Sequence, residues 1–395
     1  MTDTLPWLDL AHPAFSTRSA AVRAAREAHW CARTPYGLAV LRHREVGRLL
    51  RDRRLRQGSH AWPAHHGVTG RFPDWWGRIL LNLEGEAHAR LRAMVNPAFA
   101  PERVAALVPD CERIAAELLA PVAETGRAEI MSDVAGPYAA RVICALLGLE
   151  LPPDELAHHA AEMGLALGVE YARHHDRVES AYAALEDAAE ALVARHEAGG
   201  NVPFVAQLMG PDGLTRDEMR DMVVLAVFGG VDTTKSQIGL AVAMLMERPD
   251  LWRRLAAEPA LAPAVVEEAV RLRPTTTWVT REAVEDVSFD GVAIPAGTTL
   301  HLLTESAGTD PRAYPEAGLD PDARRRAHFG FGGGRHHCLG SHLARADMAV
   351  CLQALTARFA PPEPDGPAEW LPESGNTGPV RLAVRLAPAL SPVRA

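Results

Sequence analysis

The chain has 395 residues, of which 48% are hydrophobic and 23% charged, and its formal net charge is -9 with a sequence pI near 6.0. These proportions are those of a globular protein with a large hydrophobic core. The acidic balance argues against nucleic acid as the main partner, because phosphate binding needs a basic face.

The N-terminal residues show no basic start followed by an apolar run, so no signal peptide is predicted. No stretch approaches the roughly 18 uninterrupted apolar residues that a membrane-spanning helix needs. The cysteines of the chain are odd in number and widely scattered, which is typical of reduced thiols and not of a disulfide framework. We therefore expect a soluble cytoplasmic protein with no membrane partner. The cysteines are Cys31, Cys111, Cys144, Cys338 and Cys351.

Most of the chain has the periodicity of helix. Residues 101–122 and 179–197 carry apolar residues at helical spacing with charges between them. The strongest helix prediction is 216–248, which is roughly 50 Å long if continuous. Thr215 with Glu218 forms a capping-box pattern at its start, and its apolar faces predict burial.

Strand signals are few. The segment VSFDGVAIPAGTTLHL alternates on both sides of Asp290-Gly291, a dipeptide that favours a tight hairpin turn. Shorter candidates are GLAVLRH near the N-terminus and VRLAVRLAP near the C-terminus. Strand and helix do not alternate regularly, so a doubly wound sheet is not expected. The predicted fold class is mainly α with small β-sheets.

The segment EGEAHARLRAMVNPAF contains the first candidate functional pair. His88 and Arg92 lie one helical turn apart and therefore face the same side of a helix. This spacing by itself also fits a surface helix of mixed polarity.

The middle of the predicted long helix reads FGGVDTTKSQ. Two adjacent glycines, Gly229 and Gly230, cost about 1 kcal/mol each relative to alanine inside a helix. Asp232 in an otherwise apolar run is costly to bury without a partner. Taken alone, these residues also fit a kinked core helix with a solvated acid.

Further along the chain, VVEEAVRLRP places Glu268 and Arg271 at i and i+3, the spacing of a helical ion pair. The spacing is common on solvated helix faces, and carries little information by itself.

The segment FGFGGGRHHCLGSHLAR surrounds one thiol with glycines. Gly332 and its neighbours permit positive φ values and bring backbone N–H groups close to the sulfur of Cys338. Residues 339–345 read as the first turns of a helix, whose positive end favours a thiolate. A zinc site is a less favoured interpretation, because ligands at adjacent positions converge poorly on one tetrahedral ion. Its ligands would be His336, His337, Cys338 and His342.

This segment resembles the haem-binding signature of the cytochrome P-450 family, F-x-x-G-x-[HR]-x-C-x-G. The positions that match are Phe331, Gly334, His336, Cys338 and Gly340. Residues 229–234 resemble the oxygen-activation motif of the family, Glu268 and Arg271 its E-x-x-R pair, and His88 and Arg92 its H-x-x-x-R segment. The four motifs stand in the family's order, so the resemblance implies the P-450 fold as a single domain over 1–395.

The resemblance implies haem b between the long central helix and the helix after the cysteine loop. Cys338 would be the axial thiolate ligand of the iron, with Phe331, Gly332 and Gly340 around it. Propionates would be held by the side chains of His88, Arg92, Arg281 and His336.

Within the oxygen-activation motif, Thr233 would hydrogen-bond the bound oxygen, and Asp232 would relay protons from water. Glu268 and Arg271 would form a structural pair that an arginine among Arg324, Arg325 and Arg326 completes.

The function implied is a monooxygenase that hydroxylates or epoxidises a small organic substrate, plausibly a natural-product intermediate. Peroxide-driven oxidation or oxidative coupling is an alternative, and a non-catalytic haem sensor is another. Electrons would come from NAD(P)H through a ferredoxin and its reductase. Five arginines flank the cysteine loop and would form a basic docking surface for this ferredoxin. Alternatively, they would be solvent-exposed side chains, some of them bound to the haem propionates. The five are Arg324, Arg325, Arg326, Arg335 and Arg345.

By the same resemblance, the substrate pocket would be lined by side chains from several separate segments. The tryptophan-rich segment 61–81 would stack on a flat apolar substrate, although such residues also serve simply as core. A run of threonines would offer hydrogen bonds. The candidate pocket residues are Trp76, Val224, Phe228, Gly229, Thr276 and Thr277.

Overall fold

Helices make up most of the molecule, a computed structural model that describes residues 5–168, 170–316, 318–324, 326–373 and 375–389. The helices are α1 Ala20–Ala28, α2 His43–Leu49, α3 Trp62–His65, α4 Arg71–Arg78, α5 Gly85–Val95, α6 Pro101–Thr125, α7 Gly136–Leu147, α8 Pro153–Gly164, α9 Tyr171–Glu197, α10 Pro203–Leu208, α11 Arg216–Gly230, α12 Asp232–Met246, α13 Pro249–Ala257, α14 Ala262–Leu272, α15 Thr304–Gly308 and α16 Ser341–Arg358.

The strands are short and form small sheets. They are β1 Cys31–Thr34, β2 Gly37–Val40, β3 Leu55–Gln57, β4 Arg127–Glu129, β5 Trp278–Ala283, β6 Val287–Phe289, β7 Val292–Ile294, β8 Thr299–Leu303, β9 Glu363–Pro364, β10 Glu369–Trp370, β11 Pro379–Arg381 and β12 Ala383–Arg385. The largest sheet has the order β1-β2-β8-β5-β3, with β2 and β8 parallel. The mainly α fold class with small sheets is confirmed.

The predicted hairpin at Asp290-Gly291 is the β6–β7 pair. Asp290 has φ of 43° and Gly291 has φ of 83°, the left-handed pair of values that a tight two-residue hairpin turn requires. The following residues 299–303 form β8, which joins the large sheet. The alternating pattern therefore belongs to two sheets, a division that periodicity alone does not show.

The predicted helices 101–122 and 179–197 are confirmed within α6 and α9, which are longer than the patterns. Helix α6 runs three residues further because Gly126 ends it in the left-handed conformation, with φ of 66°. At the start of α11, the capping box of Thr215 and Glu218 is present with both reciprocal hydrogen bonds.

The long helix predicted over 216–248 is broken at Val231 into α11 and α12. The Thr233 hydroxyl donates to the Gly229 carbonyl, a side-chain bond that competes for the backbone acceptor of a regular helix. Gly230 lies against α7, where an added Cβ would stand 2.6 Å from Ile143 Cδ1. The two glycines thus serve different purposes, one at the break and one at a close helix crossing.

The main core is formed by helices packed around α12. Its residues from Ser236 to Leu245 are buried on every face of the helix. Helices α7, α14 and α16 pack against it, and α6 packs on α7 and α16. The expectation of one domain over the whole chain stays a prediction.

Among the residues that the structure describes, one run, Ile130–Leu147, is long and apolar enough to cross a membrane, with a mean hydropathy of 1.4 over 18 residues. It consists of a π-helical turn over Ile130–Ala135 followed by α7. In the structure 61% of it is buried against other helices, and core helices of soluble proteins pass the same test. The run is therefore weak evidence for a membrane span.

Candidate active site

The cysteine loop is a tight turn between the segment at Phe329 and α16. The Cys338 N–H donates to the Phe331 carbonyl at 2.9 Å, which closes the loop on itself. Gly334 has φ of 67°, and an added Cβ there would lie 2.4 Å from the Leu50 carbonyl oxygen. The loop therefore requires glycine at 334 for both conformation and space.

Cys338 lies just before the start of α16. The residue is exposed, yet protein atoms surround it so closely that burial raises the pKa of its thiol. The backbone N–H of Gly340 and the guanidinium groups of Arg92 and Arg345 act in the opposite direction. An added Cβ at Gly340 would meet nothing within 4 Å, so open space lies beside the start of α16.

Three basic side chains of this region lack an anionic partner among the described residues. His88 is 4% exposed, and its Nε2 has no hydrogen-bond partner. Arg92 is half-buried and makes no hydrogen bond or ion pair within the described ranges. The buried Arg281 guanidinium donates only to the Gln57 side chain and the Thr280 carbonyl.

Burial is the main cause of the pKa shifts of these basic groups. It lowers the pKa of His88 to about 4, with His336 and Arg92 adding to the effect. It also lowers the pKa of Arg281 to about 10, against the effect of Glu84. Burying the charged forms of these side chains costs free energy, and a carboxylate bound between them offsets this cost.

His336, predicted to contact a propionate, has a carboxylate of the protein beside it in the structure. Its Nε2 lies 3.0 Å from Glu84 Oε1, and its ring centroid is 4.5 Å from that of His88. Arg335 Nε is 2.8 Å from the other Glu84 oxygen. Glu84, the N-cap residue of α5, was not among the predicted site residues, although an acid just before the His88 helix was visible in the sequence.

Glu84 joins three segments. It accepts hydrogen bonds from His336 and from the Gln57 N–H, and these and Arg335 lower the pKa of its carboxyl despite burial. The cysteine loop, β3 and the start of α5 are thereby held together.

Glu268 and Arg271 form the expected ion pair in the core. Arg271 Nε and Nη2 each lie 2.7 Å from an oxygen of Glu268, and the two side chains are 1% and 4% exposed. Arg271 also donates to the carbonyls of Gly308 and Gly318, while Glu268 accepts from the Asp320 N–H. The pair thus holds the segment that leads to the cysteine loop. Of the arginines predicted to complete it, Arg325 lies outside the described residues.

Asp232 and Thr233 lie at the start of α12, directly after the helix break. Burial raises the pKa of the Asp232 carboxyl, and Lys235 lowers it. Lys235 Nζ is 3.7 Å from Asp232 Oδ1. An added Cβ at Gly229 would meet nothing within 4 Å, so open space adjoins the carbonyl to which Thr233 donates.

The candidate pocket residues divide into two groups. Gly229 is exposed and Thr276 is half-buried. Four are buried: Trp76 and Phe228 in ring contact, Val224 at 1% exposure, and Thr277, whose hydroxyl donates to the Gly375 carbonyl at 2.9 Å.

Residues that were not among the named pocket candidates lie beside Gly229 and Thr276. Leu225 and Ala226 are half-buried and lie one turn before Gly229 on α11. The Thr276 hydroxyl donates to Asn376 Oδ1 at 3.0 Å. Helical spacing back from Gly229 is the signal that would have found Leu225 and Ala226.

The residues present fit a haem group. The unpaired Nε2 of buried His88, with Arg92 and Arg281, forms a donor set suited to carboxylates, and Cys338 supplies a thiol near the open space beside Gly340. Among the described residues no cluster of three or more His, Cys, Asp or Glu side chains is arranged to hold a metal ion. The zinc arrangement considered for His336, His337, Cys338 and His342 is therefore not formed.

Comparison with known proteins supplies relatives over the full length of the chain. The family model described as Cytochrome P450 matches residues 172–378. Luteothin monooxygenase of Streptomyces thioluteus is 33% identical over 98% of this chain and 97% of that protein. Mycinamicin IV hydroxylase/epoxidase of Micromonospora griseorubida is 33% identical over 83% of this chain and 84% of that protein. The structure of CYP109Q5 from Chondromyces apiculatus has a TM-score of 0.86 at 25% identity, covering 98% of this chain and 99% of that chain.

Proposed function

This chain belongs to the cytochrome P450 family and is a haem-thiolate monooxygenase, and we propose that it oxidises a natural-product intermediate with electrons from a ferredoxin and its reductase. The observation that carries the site assignment is the set of basic side chains without anions near a thiol with open space beside its loop. Each part of the proposal has its own support in the described residues.

Cys338 would hold the haem iron, and His88, Arg92 and Arg281 would bind the propionates. When bound, haem with a thiolate ligand supplies the activation of O2, because the thiolate donates electron density that favours O–O cleavage. The N–H of Gly340 and the nearby arginines favour the thiolate form of Cys338. His336 would act through Glu84, which it binds, and so would keep the loop beside α5.

Thr233 and Asp232 would handle protons. The Thr233 hydroxyl proton is donated to the Gly229 carbonyl, which leaves the lone pairs of Oγ1 available to accept a hydrogen bond. Asp232, on the adjacent position, would take a proton from water and pass it toward this hydroxyl. General acid catalysis of this kind contributes about 10²–10⁴-fold.

The substrate would be an extended, largely apolar molecule with a hydrogen-bonding group. Leu225, Ala226 and Gly229 form an apolar strip with open space beside it. Thr276 and Asn376 place a hydroxyl and an amide at another half-buried point. Relatives named for luteothin, mycinamicin IV and 6-deoxyerythronolide B support a natural-product intermediate as the substrate class.

The substrate class is tested by titrating the purified haem protein with a panel of natural-product intermediates, both extended apolar and small polar ones, and following the shift of the Soret band. We expect extended apolar members to shift the band and small polar members to leave it unchanged. Product analysis with a surrogate ferredoxin and reductase then defines the reaction. A panel that binds only small polar compounds would contradict the proposed class.

The ligand assignment is tested by Cys338→Ala. This variant should lose the thiolate-specific Soret band of the reduced carbon monoxide complex, because no other thiol is assigned to the iron. Cys144→Ala, which removes a half-buried thiol of α7, is the matched control and should keep the band. Retention of the band in Cys338→Ala would show that another residue is the ligand.

Docking of the ferredoxin would use a basic surface beside the cysteine loop. Of the arginines first considered, Arg335 is paired with Glu84, and Arg345 with Glu267. Arg324 and Arg326 are exposed. We add the arginine ridge, defined as the side chains on and just after α2: Arg44, Arg48, Arg51 and Arg53.

The arginine ridge borders the cysteine loop through Leu50, whose carbonyl oxygen abuts Gly334. Arg51 and Arg53 are exposed and have no carboxylate partner within the described ranges, whereas Arg44 and Arg48 share Asp290. An acidic ferredoxin would complement this surface on an otherwise acidic protein. Such a partner places the proposed activity in the cytoplasm.

A further inference from the structure

Lys235 is the sole lysine in the sequence, and it lies on α12 three residues after Asp232. Its Nζ is 3.7 Å from Asp232 Oδ1, and the two side chains are 26% and 23% exposed. All other basic side chains of the chain that are not histidine are arginine. A lysine carries a compact charge on a flexible stem, so its head can follow one carboxylate oxygen without the planar geometry that arginine requires.

Two glycines of neighbouring helices mark how close this pair lies to α7 and α8. An added Cβ at Gly136, the first residue of α7, would lie 3.7 Å from Lys235 Cδ. An added Cβ at Gly164, the last residue of α8, would lie 3.4 Å from Asp232 Oδ2. The lysine stem therefore passes α7 while the carboxylate reaches the end of α8.

Within the described ranges, Lys235 is the only charged side chain in ion-pair contact with Asp232. It is also the only titratable group that acts on the carboxyl electrostatically. Titratable groups on the elements packed against α12 have partners other than Asp232. On α8, Glu162 pairs with Arg177 and His159 lies near Glu155, while on α7 Arg141 pairs with Glu117. Elsewhere, Asp133 accepts from the Glu129 N–H, Glu267 pairs with Arg345 and His328, Glu268 pairs with Arg271, and Asp347 lies beside Cys111 and Cys351.

We propose that Lys235 is a positioning residue that keeps Asp232 ionised at the end of α8 and thereby governs proton delivery through Asp232. The proposal rests on the proposed role of Asp232 in proton transfer. In this role Asp232 accepts one proton from water and releases the same proton toward Thr233. Neither side chain changes its net charge over a full cycle.

The direction of the effect follows from the enclosure of Asp232. Burial favours the neutral acid and raises the pKa of Asp232, whereas the ammonium group of Lys235 lowers it. Without Lys235, the carboxyl would bind its proton up to a higher pH and would release it less readily at neutral pH. Any step that needs ionised Asp232 would then require a more alkaline solution.

The first test compares the pH profile of product formed per NAD(P)H in Lys235→Met, Lys235→Arg and the unmodified holoenzyme. The midpoint of the acid limb should move to higher pH in Lys235→Met, and should stay near its original position in Lys235→Arg. Arg113→Met, which removes a charge from an exposed pair on α6, is the matched control and should leave the profile in place. An unmoved profile in Lys235→Met, with a profile altered by Asp232→Asn, would overturn the proposal.

The second test uses the fact that one lysine gives one signal. Holoenzyme grown with carbon-13 lysine is reduced and bound to carbon monoxide, and the Lys235 side-chain resonance is followed against pH. We expect a step that reports the titration of Asp232 and that disappears in Asp232→Asn. The same pH curve in both proteins would overturn the pairing, whereas loss of the thiolate-specific Soret band would instead count against the proposed function.

Discussion

At Thr233, one side chain both shapes the helix and faces the site. Its hydroxyl donates to the Gly229 carbonyl across the break between α11 and α12. Thr233→Ala removes the hydroxyl, so we expect haem binding to persist while product per NAD(P)H falls and hydrogen peroxide rises. The reduced yield follows from the loss of a positioned proton donor, a loss that typically costs about 10²–10⁴-fold in such a step. Peroxide and product are measured in the same assay.

Thr234→Ala is the control for this change, because Thr234 is the adjacent threonine and is buried on another face of α12. It should keep the original ratio of product to peroxide. Equal ratios in the two variants would mean that a group other than Thr233 handles the proton.

At the scale of helices, the adjacent glycines of α11 differ in what surrounds them. An added methyl at Gly229 meets open space, while one at Gly230 would stand 2.6 Å from Ile143 Cδ1. Alanine at either position raises the helix propensity. In Gly230→Ala, however, overpacking against Ile143 costs about 1–3 kcal/mol. We expect Gly230→Ala to have a lower free energy of unfolding than Gly229→Ala by about 1–2 kcal/mol.

Denaturation in urea measures this difference, and substrate titration adds an independent check. Gly229→Ala should weaken binding of bulky ligands, because the methyl enters the open space beside α11. Equal stability of the two variants would show that Ile143 moves aside without cost.

The ion pair of α14 anchors the segment before the cysteine loop. Arg271 contacts Glu268 and the carbonyls of Gly308 and Gly318 from a buried position. Removing one partner of a buried pair costs about 3–5 kcal/mol, so Arg271→Leu should lower the free energy of unfolding by this order and reduce haem content. Loss of an exposed pair, as in Arg113→Leu, should cost less than about 1 kcal/mol. Similar losses in both variants would contradict the anchoring role.

At the scale of the whole molecule, charge is distributed unevenly. The chain carries a formal net charge of -9, yet the arginine ridge beside the cysteine loop is basic. If an acidic ferredoxin docks there, the rate of electron transfer should fall as salt screens the attraction. Arg51→Gln combined with Arg53→Gln should reduce this salt dependence, whereas Arg173→Gln on α9 should not. A rate independent of salt in the unmodified protein would exclude electrostatic docking.

Much of the fold and several site residues were predictable from local pattern. The 3.6-residue periodicity predicted α6 and α9, and Asp290-Gly291 predicted the β6–β7 turn, because each depends on neighbouring residues only. The cysteine loop was recognisable from its pattern of glycines. The structure gives the reason for one of them, because the backbone at Gly334 lies too close to Leu50 for any side chain. Helical spacing only allowed the pair of Glu268 and Arg271, and it was the resemblance to the family that made this pair an expected structural contact.

By itself, the sequence determined that this is a mainly helical protein with a thiol-bearing glycine loop, since these features lie in short-range chemistry. Only the tertiary structure decided which residues meet across the chain. It brought His336 to Glu84, 252 positions away in the sequence, and buried Thr277 in the core. It also placed the pair of Asp232 and Lys235 beside α8 and α7. These outcomes depend on how helices pack and exclude water, and packing of that kind couples residues that no local pattern connects.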